Sequence, residues 1–199
     1  QLTRDFNILY IADEVQSGMG RTGRMFASEH FDIVPDIITL AKGIASGLPI
    51  SATVASEKIM NWLPGSHAST FGGNPVSCQA ALTTIRLLEE GLIDNAAKQG
   101  DYMINELKKL ERTYPIIGDV RGLGLMLAAE IVKDKETKEY APEVRDSIIQ
   151  KAFSKGLLLL GCGRSAIRFC PPLILSKDDA DIALSIFETC LKETLQNKL

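Results

Sequence analysis

Residues 35–43 read PDIITLAKG, and this stretch decides the fold class. Its apolar part, IITL, is short, rich in branched residues and free of polar alternation, which is typical of a parallel strand covered on both faces. The run ILYIADEV at residues 8–15 has the same character. Both runs end in polar residues, and ligands of open α/β sheets bind beyond the carboxyl ends of such strands. The pattern predicts an α/β protein with Asp13, Glu14 and Lys42 at the ligand-binding edge.

Turn residues and helical periodicity divide the chain into three parts. We expect residues 1–91 to form a layered α/β unit, residues 92–114 an amphipathic connecting helix, and residues 115–199 a smaller α/β domain. In the first part we expect a third strand before Ser56, with Ser56 capping a helix, and a later helix that ends at Gly91.

In the last part, apolar runs predict three strands and the intervening segments predict two helices. The strands are expected in GLGLMLAAEIV (122–132), LLLL (157–160) and AIRFC (166–170), and the helices over residues 142–154 and 176–196.

Composition excludes several classes of function. The chain has 199 residues, 24% of them charged, and a net charge of -3, so it offers no basic surface for a nucleic-acid backbone. Its apolar runs are far shorter than the ~20 residues that span a bilayer. The four cysteines lie far apart without a C-x-x-C pair, which indicates reduced thiols and no zinc site. We therefore expect a cytoplasmic protein without a metal, nucleic-acid or membrane partner.

Three glycines, Gly18, Gly20 and Gly23, match the spacing G-x-G-x-x-G of dinucleotide-binding turns. Such a turn follows its strand directly and opens a long helix. Here the residues DEVQS separate the strand from the first glycine, and a proline soon follows the third. We interpret the glycines as a loop that shapes the site, with Arg21 and Arg24 in loop or subunit contacts.

A carboxylate and an amine at one edge of a sheet suit pyridoxal phosphate. A lysine there can form a Schiff base with the cofactor aldehyde, and a carboxylate beside the pyridine nitrogen keeps that nitrogen protonated, which makes the ring an electron sink. Taken alone, Asp13 and Lys42 are also consistent with a structural ion pair.

Three motifs, in order and in spacing, resemble the class III pyridoxal-phosphate aminotransferases, which are fold type I enzymes. They are the segment 13–56 beginning DEVQSGMGRTGR, the segment HASTFGGNPVSCQAAL at 67–82 and the segment IRFCPPL at 167–173. The resemblance covers essentially the whole chain. It implies that residues 1–91 are the C-terminal part of the large cofactor-binding domain and residues 115–199 the small domain.

The resemblance also implies roles for single residues at the cofactor. Asp13 would partner the pyridine nitrogen and Lys42 would carry the cofactor as a Schiff base. Val15 would pack on the ring, and Gln16 would lie near its phenolic oxygen. Thr70 would reach the cofactor phosphate of the neighbouring subunit in a homodimer with shared active sites. Without the motif, Val15 is equally a core residue, and Gln16 and Thr70 are turn residues.

Arg168 is the candidate for substrate binding. It lies in an apolar run, where a lone guanidinium is costly to bury unless it meets an anion. Its planar fork suits a carboxylate, and the resemblance implies that it binds a substrate carboxylate. An ion pair with an internal Asp or Glu is the structural alternative.

The resemblance is strongest to the 4-aminobutyrate branch, which implies transfer of the amino group of 4-aminobutyrate to an oxo acid such as 2-oxoglutarate. Ornithine and acetylornithine aminotransferases and amino-acid racemases share the same lysine, aspartate and arginine and stay open as alternatives. Family members carry a phosphate-binding loop upstream of these motifs, so we expect the chain to be the C-terminal half of a longer protein. A non-catalytic association or folding unit is the alternative of a different class.

Overall fold

The computed structural model describes residues 1–196, so residues 197–199 of the expected small domain lie outside the described residues. The chain divides into two compact units, Gln1–Asp94 and a second unit that begins at Asn95. In chain order, the main elements are α1 Leu2–Asp5, β1 Ile11–Asp13, β2 Ile37–Leu40, β3 Ala52–Ala55, α2 Pro75–Leu87, α3 Ile93–Thr113, β4 Ile117–Leu123, β5 Met126–Ile131, α4 Pro142–Ser154, β6 Leu160–Cys162, β7 Ala166–Phe169 and α5 Lys177–Gln196.

The first unit is built on a three-stranded sheet in the order β1-β2-β3. Strand β1 runs parallel to β2, with Asp13 beside Thr39, and β3 is antiparallel to β2. Because the carboxyl ends of parallel strands meet at one edge of a sheet, Asp13 at the end of β1 and Lys42 just after β2 lie at the same edge.

The strands of this sheet are not covered on both faces. Ile8 and Ile11 are 57% and 56% exposed, and Val54 of β3 is 52% exposed. The expectation of fully buried strands is therefore wrong for this chain by itself, because the apolar groups needed to cover the sheet are not among the described residues.

The second unit is built on a four-stranded antiparallel sheet in the order β4-β5-β7-β6. Along β5, Leu127, Ala129 and Ile131 are buried and alternate with partly exposed residues, so one face of the sheet packs on the core. Phe187 of α5 is fully buried there, and its ring meets that of Phe169 edge to face with the centroids 5.1 Å apart. The large hydrophobic core of the described chain lies in this unit.

Side-chain hydrogen bonds connect α5 with α3 and with Tyr114, which follows α3. Tyr102 donates a hydrogen bond to Asp181. Tyr114 donates to Glu188 Oε1 at 2.7 Å, and Lys192 Nζ lies 3.0 Å from the same oxygen. The hydrogen bonds from Tyr114 and Lys192 lower the pKa of Glu188, whereas burial and the neighbouring carboxylate raise the pKa of Tyr114.

The helices expected over residues 142–154 and 176–196 are confirmed as α4 and α5. The strand expected at residues 122–132 is wrong in its extent, because Gly122 and Gly124 adopt φ of 144° and 51° and form the end of β4 and the turn before β5.

The LLLL segment is not a strand over its whole length, since only Leu160 belongs to β6. The N–H of Leu157 donates to Ala152 O at 2.9 Å and so caps the C-terminus of α4. No helix follows Ser56 either. Its carbonyl accepts from Ile59 and Met60 in one turn, and Pro64 disfavours helical conformation just before it.

Residues 1–196 contain no candidate for a membrane span or for a metal site. No helix there is long and apolar enough to cross a membrane. Within the same residues, no group of three or more His, Cys, Asp or Glu side chains could hold a metal ion.

Candidate functional site

Asp13 ends β1, and its carboxylate is oriented by two donors. The N–H of Val15 donates to Oδ1 at 3.1 Å, and the hydroxyl of Thr39 donates to the same oxygen at 3.2 Å. Thr39 reaches it because the two residues are neighbours in the parallel register. The side chain of Asp13 is exposed, so its charge is fixed in direction and remains accessible to a ligand.

Lys42 follows β2 and begins the short 3-10 helix Lys42–Ala45. Its backbone has φ of 48°, in the left-handed region, which costs a residue with a side chain about 1–2 kcal/mol. Ile44 and Ala45 are buried, and Ser46 shares a hydrogen bond with Thr84 of α2 at 3.2 Å. Tertiary contacts thus hold the turn, while the ammonium of Lys42 is exposed at the sheet edge.

The acidic and basic side chains that form ion pairs within residues 1–196 do not include Asp13 or Lys42. A direct structural ion pair between them is therefore not present in the described part of the chain. An oriented carboxylate and an accessible amine at one edge fit pyridoxal phosphate, which needs an acceptor for its protonated ring nitrogen and an amine for its aldehyde.

Glu14, next to Asp13, points into the protein and is only 3% exposed. Its carboxylate accepts hydrogen bonds from Ser17 Oγ at 2.5 Å, from the N–H of Ser28 at 2.8 Å and from the N–H of Ala27 at 3.1 Å. Burial alone would raise the pKa of Glu14, but these hydrogen bonds more than offset burial and the pKa lies below its usual value. Glu14 is therefore held as an ionised group.

The three glycines lie in the loop that Glu14 closes. A Cβ on Gly18 would come within 2.8 Å of the Glu14 carbonyl oxygen, so only glycine permits this close approach. Gly20 and Gly23 both have φ of 81°. After them comes the 3-10 helix Ala27–Phe31 rather than a long helix. The geometry is that of a compact shaping loop, not of a dinucleotide-binding turn.

The other cofactor-site candidates of the first unit lie on two segments. Val15 is half-buried and Gln16 is exposed, both directly after Asp13. Thr70 lies in the same unit on a separate exposed loop, residues 61–74, which leads into α2. Asn74 caps that helix by accepting from the N–H groups of its first turn.

Arg168 belongs to the second unit. It is half-buried in β7, where its register partners are Ala128 and Leu160. It lines a pocket of about 370 Å³ whose wall is mainly apolar. Besides Arg168, this wall includes Leu158, Leu160, Phe169, Pro172 and Asp179. A guanidinium at the wall of an apolar pocket suits a small ligand that carries one carboxylate.

Thr39 was given no role by the sequence, and the expectation of the Glu14 side chain at the ligand-binding edge is wrong, because the Glu14 carboxylate is buried within the loop. Thr39 orients Asp13, and the only available signal was its place three residues before Lys42 on the neighbouring strand. Glu14 closes the loop, and its partners lie 13 and 14 residues further along the chain, where no local pattern announces them.

The chain is similar to known proteins over nearly its whole length. The family described as aminotransferase class-III matches residues 1–191. The leucine/methionine racemase of Thermococcus litoralis is 43% identical over 197 residues, which cover 98% of this chain and 44% of the racemase. The acetylornithine aminotransferase of Methanocaldococcus jannaschii is 42% identical over 194 residues, which cover 96% of this chain and 46% of that enzyme.

A solved structure agrees with these matches. An aminotransferase of Bacillus anthracis superposes with a TM-score of 0.91 at 34% identity, covering 96% of this chain and 46% of its own. The predicted α/β fold class is thereby confirmed. The chain spans less than half the length of these relatives.

Proposed function

Because the chain belongs to the class III aminotransferases, which depend on pyridoxal phosphate, we propose that the protein carrying it transfers an amino group from an amino donor to an oxo acid. One structural observation carries the proposal. In the parallel pair of β1 and β2, Asp13 ends one strand and Lys42 follows the other at the same edge, with the carboxylate oriented and the amine exposed.

Pyridoxal phosphate, when bound, supplies an aldehyde and a ring that takes up an electron pair. Lys42 would bind that aldehyde through Nζ and, once displaced by the amino donor, would carry a proton from the donor carbon. Asp13 would hold a proton on the ring nitrogen. Thr39 and the N–H of Val15 fix the Asp13 carboxylate beforehand, so little reorganisation is needed during the reaction.

Val15, Gln16 and Thr70 are proposed to complete the cofactor site. The half-buried side chain of Val15 supports packing against the ring, and the exposed side chain of Gln16 leaves it accessible to the phenolic oxygen. Thr70 is proposed to act on the cofactor phosphate of a second subunit in a homodimer. Support comes from its loop, where Trp62 and Phe71 are 58% and 77% exposed, since large apolar side chains left exposed favour cover by another subunit.

The pocket at Arg168 supports a donor or acceptor with a carboxylate. We propose that Arg168 binds this carboxylate in a two-pronged contact while the apolar wall excludes water. In the same proposal, residues 1–91 belong to the cofactor-binding domain, residues 92–114 connect, and residues 115–199 form the small domain.

The identity of the amino donor is the finer part of the proposal. The sequence favours 4-aminobutyrate, whereas the acetylornithine aminotransferases among the relatives favour N-acetylornithine, which was an alternative from the sequence. A second candidate function is racemisation of an amino acid, because a leucine/methionine racemase and an alanine/serine racemase are 43% and 42% identical to the chain.

The test uses the protein that carries this chain, loaded with pyridoxal phosphate. It is mixed separately with 4-aminobutyrate, N-acetylornithine, L-leucine and L-alanine, first without and then with 2-oxoglutarate. Transamination predicts one equivalent of oxo product per site without acceptor and continued turnover with acceptor. Racemisation predicts the D-enantiomer without acceptor. Absence of both, with cofactor bound, would contradict the enzymatic proposal and favour the non-catalytic alternative.

A further inference from the structure

We propose that Glu14 is a positioning residue, which holds the backbone turn at Lys42 in its reactive conformation through the loop of residues 15–28. The inference rests on the proposed function, since it gives Lys42 the reacting amine. Glu14 itself does not touch the reacting atoms in this proposal, because its carboxylate is buried against the loop.

The Glu14 carboxylate closes the loop of residues 15–28. Ser17 at the start of the loop and Ala27 and Ser28 at its end all donate to this one group. Gly18 adds a backbone hydrogen bond of 2.9 Å to the Glu14 carbonyl oxygen. Because both ends of the loop meet at one buried charge, the conformation between them depends on that charge.

The same loop contacts the residues around Lys42. A Cβ built on Gly18 would lie 3.5 Å from Leu40 Cδ2, which precedes Lys42. A Cβ built on Gly43, which follows Lys42, would lie 3.5 Å from Met19 Cβ. Met19 is buried. The loop thus packs against residues on both sides of Lys42.

Lys42 itself has a backbone conformation in the left-handed region. A φ of 48° is unfavourable for lysine and persists only where the surroundings impose it. The packing of the loop against Leu40 and Gly43 provides part of that constraint. If the loop loosens, the Lys42 turn can relax to an ordinary conformation, and the amine leaves the position from which it meets the cofactor.

The test compares Glu14→Gln with a matched control, Glu29→Gln. Glutamine keeps the size of the side chain but removes the charge, and its single carbonyl oxygen cannot replace both carboxylate oxygens of Glu14. Glu29 lies in the same loop region, is exposed and accepts the N–H of Phe26 at 2.8 Å. Both variants therefore lose one carboxylate that receives loop N–H groups, and only one of these carboxylates is buried.

Two measurements separate loop closure from the reactivity of Lys42. Hydrogen exchange and trypsin cleavage after Arg21 or Arg24, without cofactor, report on the loop. The rate at which pyridoxal phosphate becomes trapped by borohydride at Lys42 reports on the amine, with trapping at exposed Lys98 as the reference. For Glu14→Gln we expect loop exchange at least about tenfold faster and trapping at Lys42 about 10- to 100-fold slower. For Glu29→Gln we expect both within about threefold of wild type.

Unchanged loop exchange, or trapping at Lys42 as fast as in the wild type, would overturn the role of Glu14. A loss of trapping at Lys42 and Lys98 alike, in step with a lower melting temperature, would also overturn it by indicating general unfolding. If Glu14→Gln does not fold, Ser17→Ala removes one of the hydrogen bonds and must give the same changes at smaller size. Failure of the wild type itself to trap cofactor at Lys42 contradicts the proposed function instead, and is seen without any variant.

Discussion

The two units of the chain differ in how they bury apolar surface. The second unit closes a continuous core between its antiparallel sheet and helices α3, α4 and α5, with Phe187 and Leu107 fully buried. The first unit leaves Ile8, Ile11 and Val54 more than half exposed on and beside its sheet. The groups proposed to hold the cofactor therefore lie in the unit whose apolar side chains are less fully buried.

Because of this difference, we expect most of the folding stability to come from the second unit, whereas the proposed cofactor site lies in the first. Full burial of an isoleucine or leucine side chain contributes about 1.5–3 kcal/mol to the free energy of unfolding. The side chains that stay exposed at the sheet of the first unit do not make this contribution. We therefore expect its amides to exchange with solvent earlier than those of the second unit. We expect the largest effects on chemistry from substitutions in the first unit and the largest effects on stability from substitutions in the second.

The largest effect is expected for Asp13→Asn. Loss of the charge beside the ring nitrogen should lower turnover by about 10²- to 10⁴-fold, with little change in unfolding free energy because the side chain is exposed. Asp36→Asn is the control, since Asp36 is exposed just before the same β2 strand and accepts the N–H of Tyr10 at 2.8 Å. Turnover and denaturant unfolding are measured for both. Near-normal turnover of Asp13→Asn would remove Asp13 from the reaction.

The converse is expected for Phe187→Ala. Removing this buried ring should lower the free energy of unfolding by about 3–5 kcal/mol. Phe31→Ala, at a side chain of the first unit that is 65% exposed, should change it by less than about 0.5 kcal/mol. Far-UV circular dichroism follows the helices, and the single tryptophan, Trp62, follows the first unit separately. Equal destabilisation by the two variants would contradict the contrast between the units.

A smaller effect on chemistry is expected within the second unit. Arg168→Lys keeps the charge but loses the planar fork, so apparent affinity for carboxylate substrates should weaken about 10- to 100-fold while cofactor affinity stays unchanged. The control is Arg164→Lys, because Arg164 is exposed and lies over the Tyr140 ring at 5.3 Å. Substrate titrations and thermal melts are compared. A loss of affinity matched by loss of folding would favour an internal structural role for Arg168.

The smallest effect concerns the pH dependence of the second unit. Because the pKa of Glu188 is lowered in the fold, its stabilising contribution is present above the usual glutamate pKa and is lost as the pH falls through the lowered value. The pKa of Tyr114 is raised, so its contribution is present below its usual value and is lost as the pH rises through the raised one.

Glu188 is partly exposed, so we expect this contribution to be below about 1 kcal/mol. Urea unfolding of wild type and Glu188→Gln from acid to neutral pH measures it, and the difference between the two should shrink as the pH falls. A difference that grows towards acid pH would contradict the assigned direction.

Much of the second unit could be predicted from local sequence. Helices α4 and α5 were placed because Pro142 and Ser176 mark their starts and apolar residues recur at helical spacing. Strand β4 was missed, since glycines and charged residues interrupt its apolar pattern and pairing with β5 decides its conformation. The exposure of β1 was also missed, because periodicity indicates which residues need cover but not whether the cover is present in the chain.

The candidate site was predictable only in its local part. Asp13 and Lys42 stand out because polar residues that end apolar strands meet at one edge. The orienting role of Thr39 depends on strand register, and the closure of the loop by Glu14 depends on tertiary folding. Neither contact leaves a periodic or motif signal in the sequence.

We expect pyridoxal phosphate to become attached to Lys42. The most direct measurement is borohydride reduction of the cofactor-loaded protein followed by tryptic peptide mapping. The modified lysine resists trypsin, so we expect one peptide of residues 25–58 that carries the cofactor, in place of separate peptides 25–42 and 43–58. Cofactor found on another lysine, or attachment that persists undiminished in Lys42→Ala, would contradict the assignment of Lys42 as the cofactor-binding lysine.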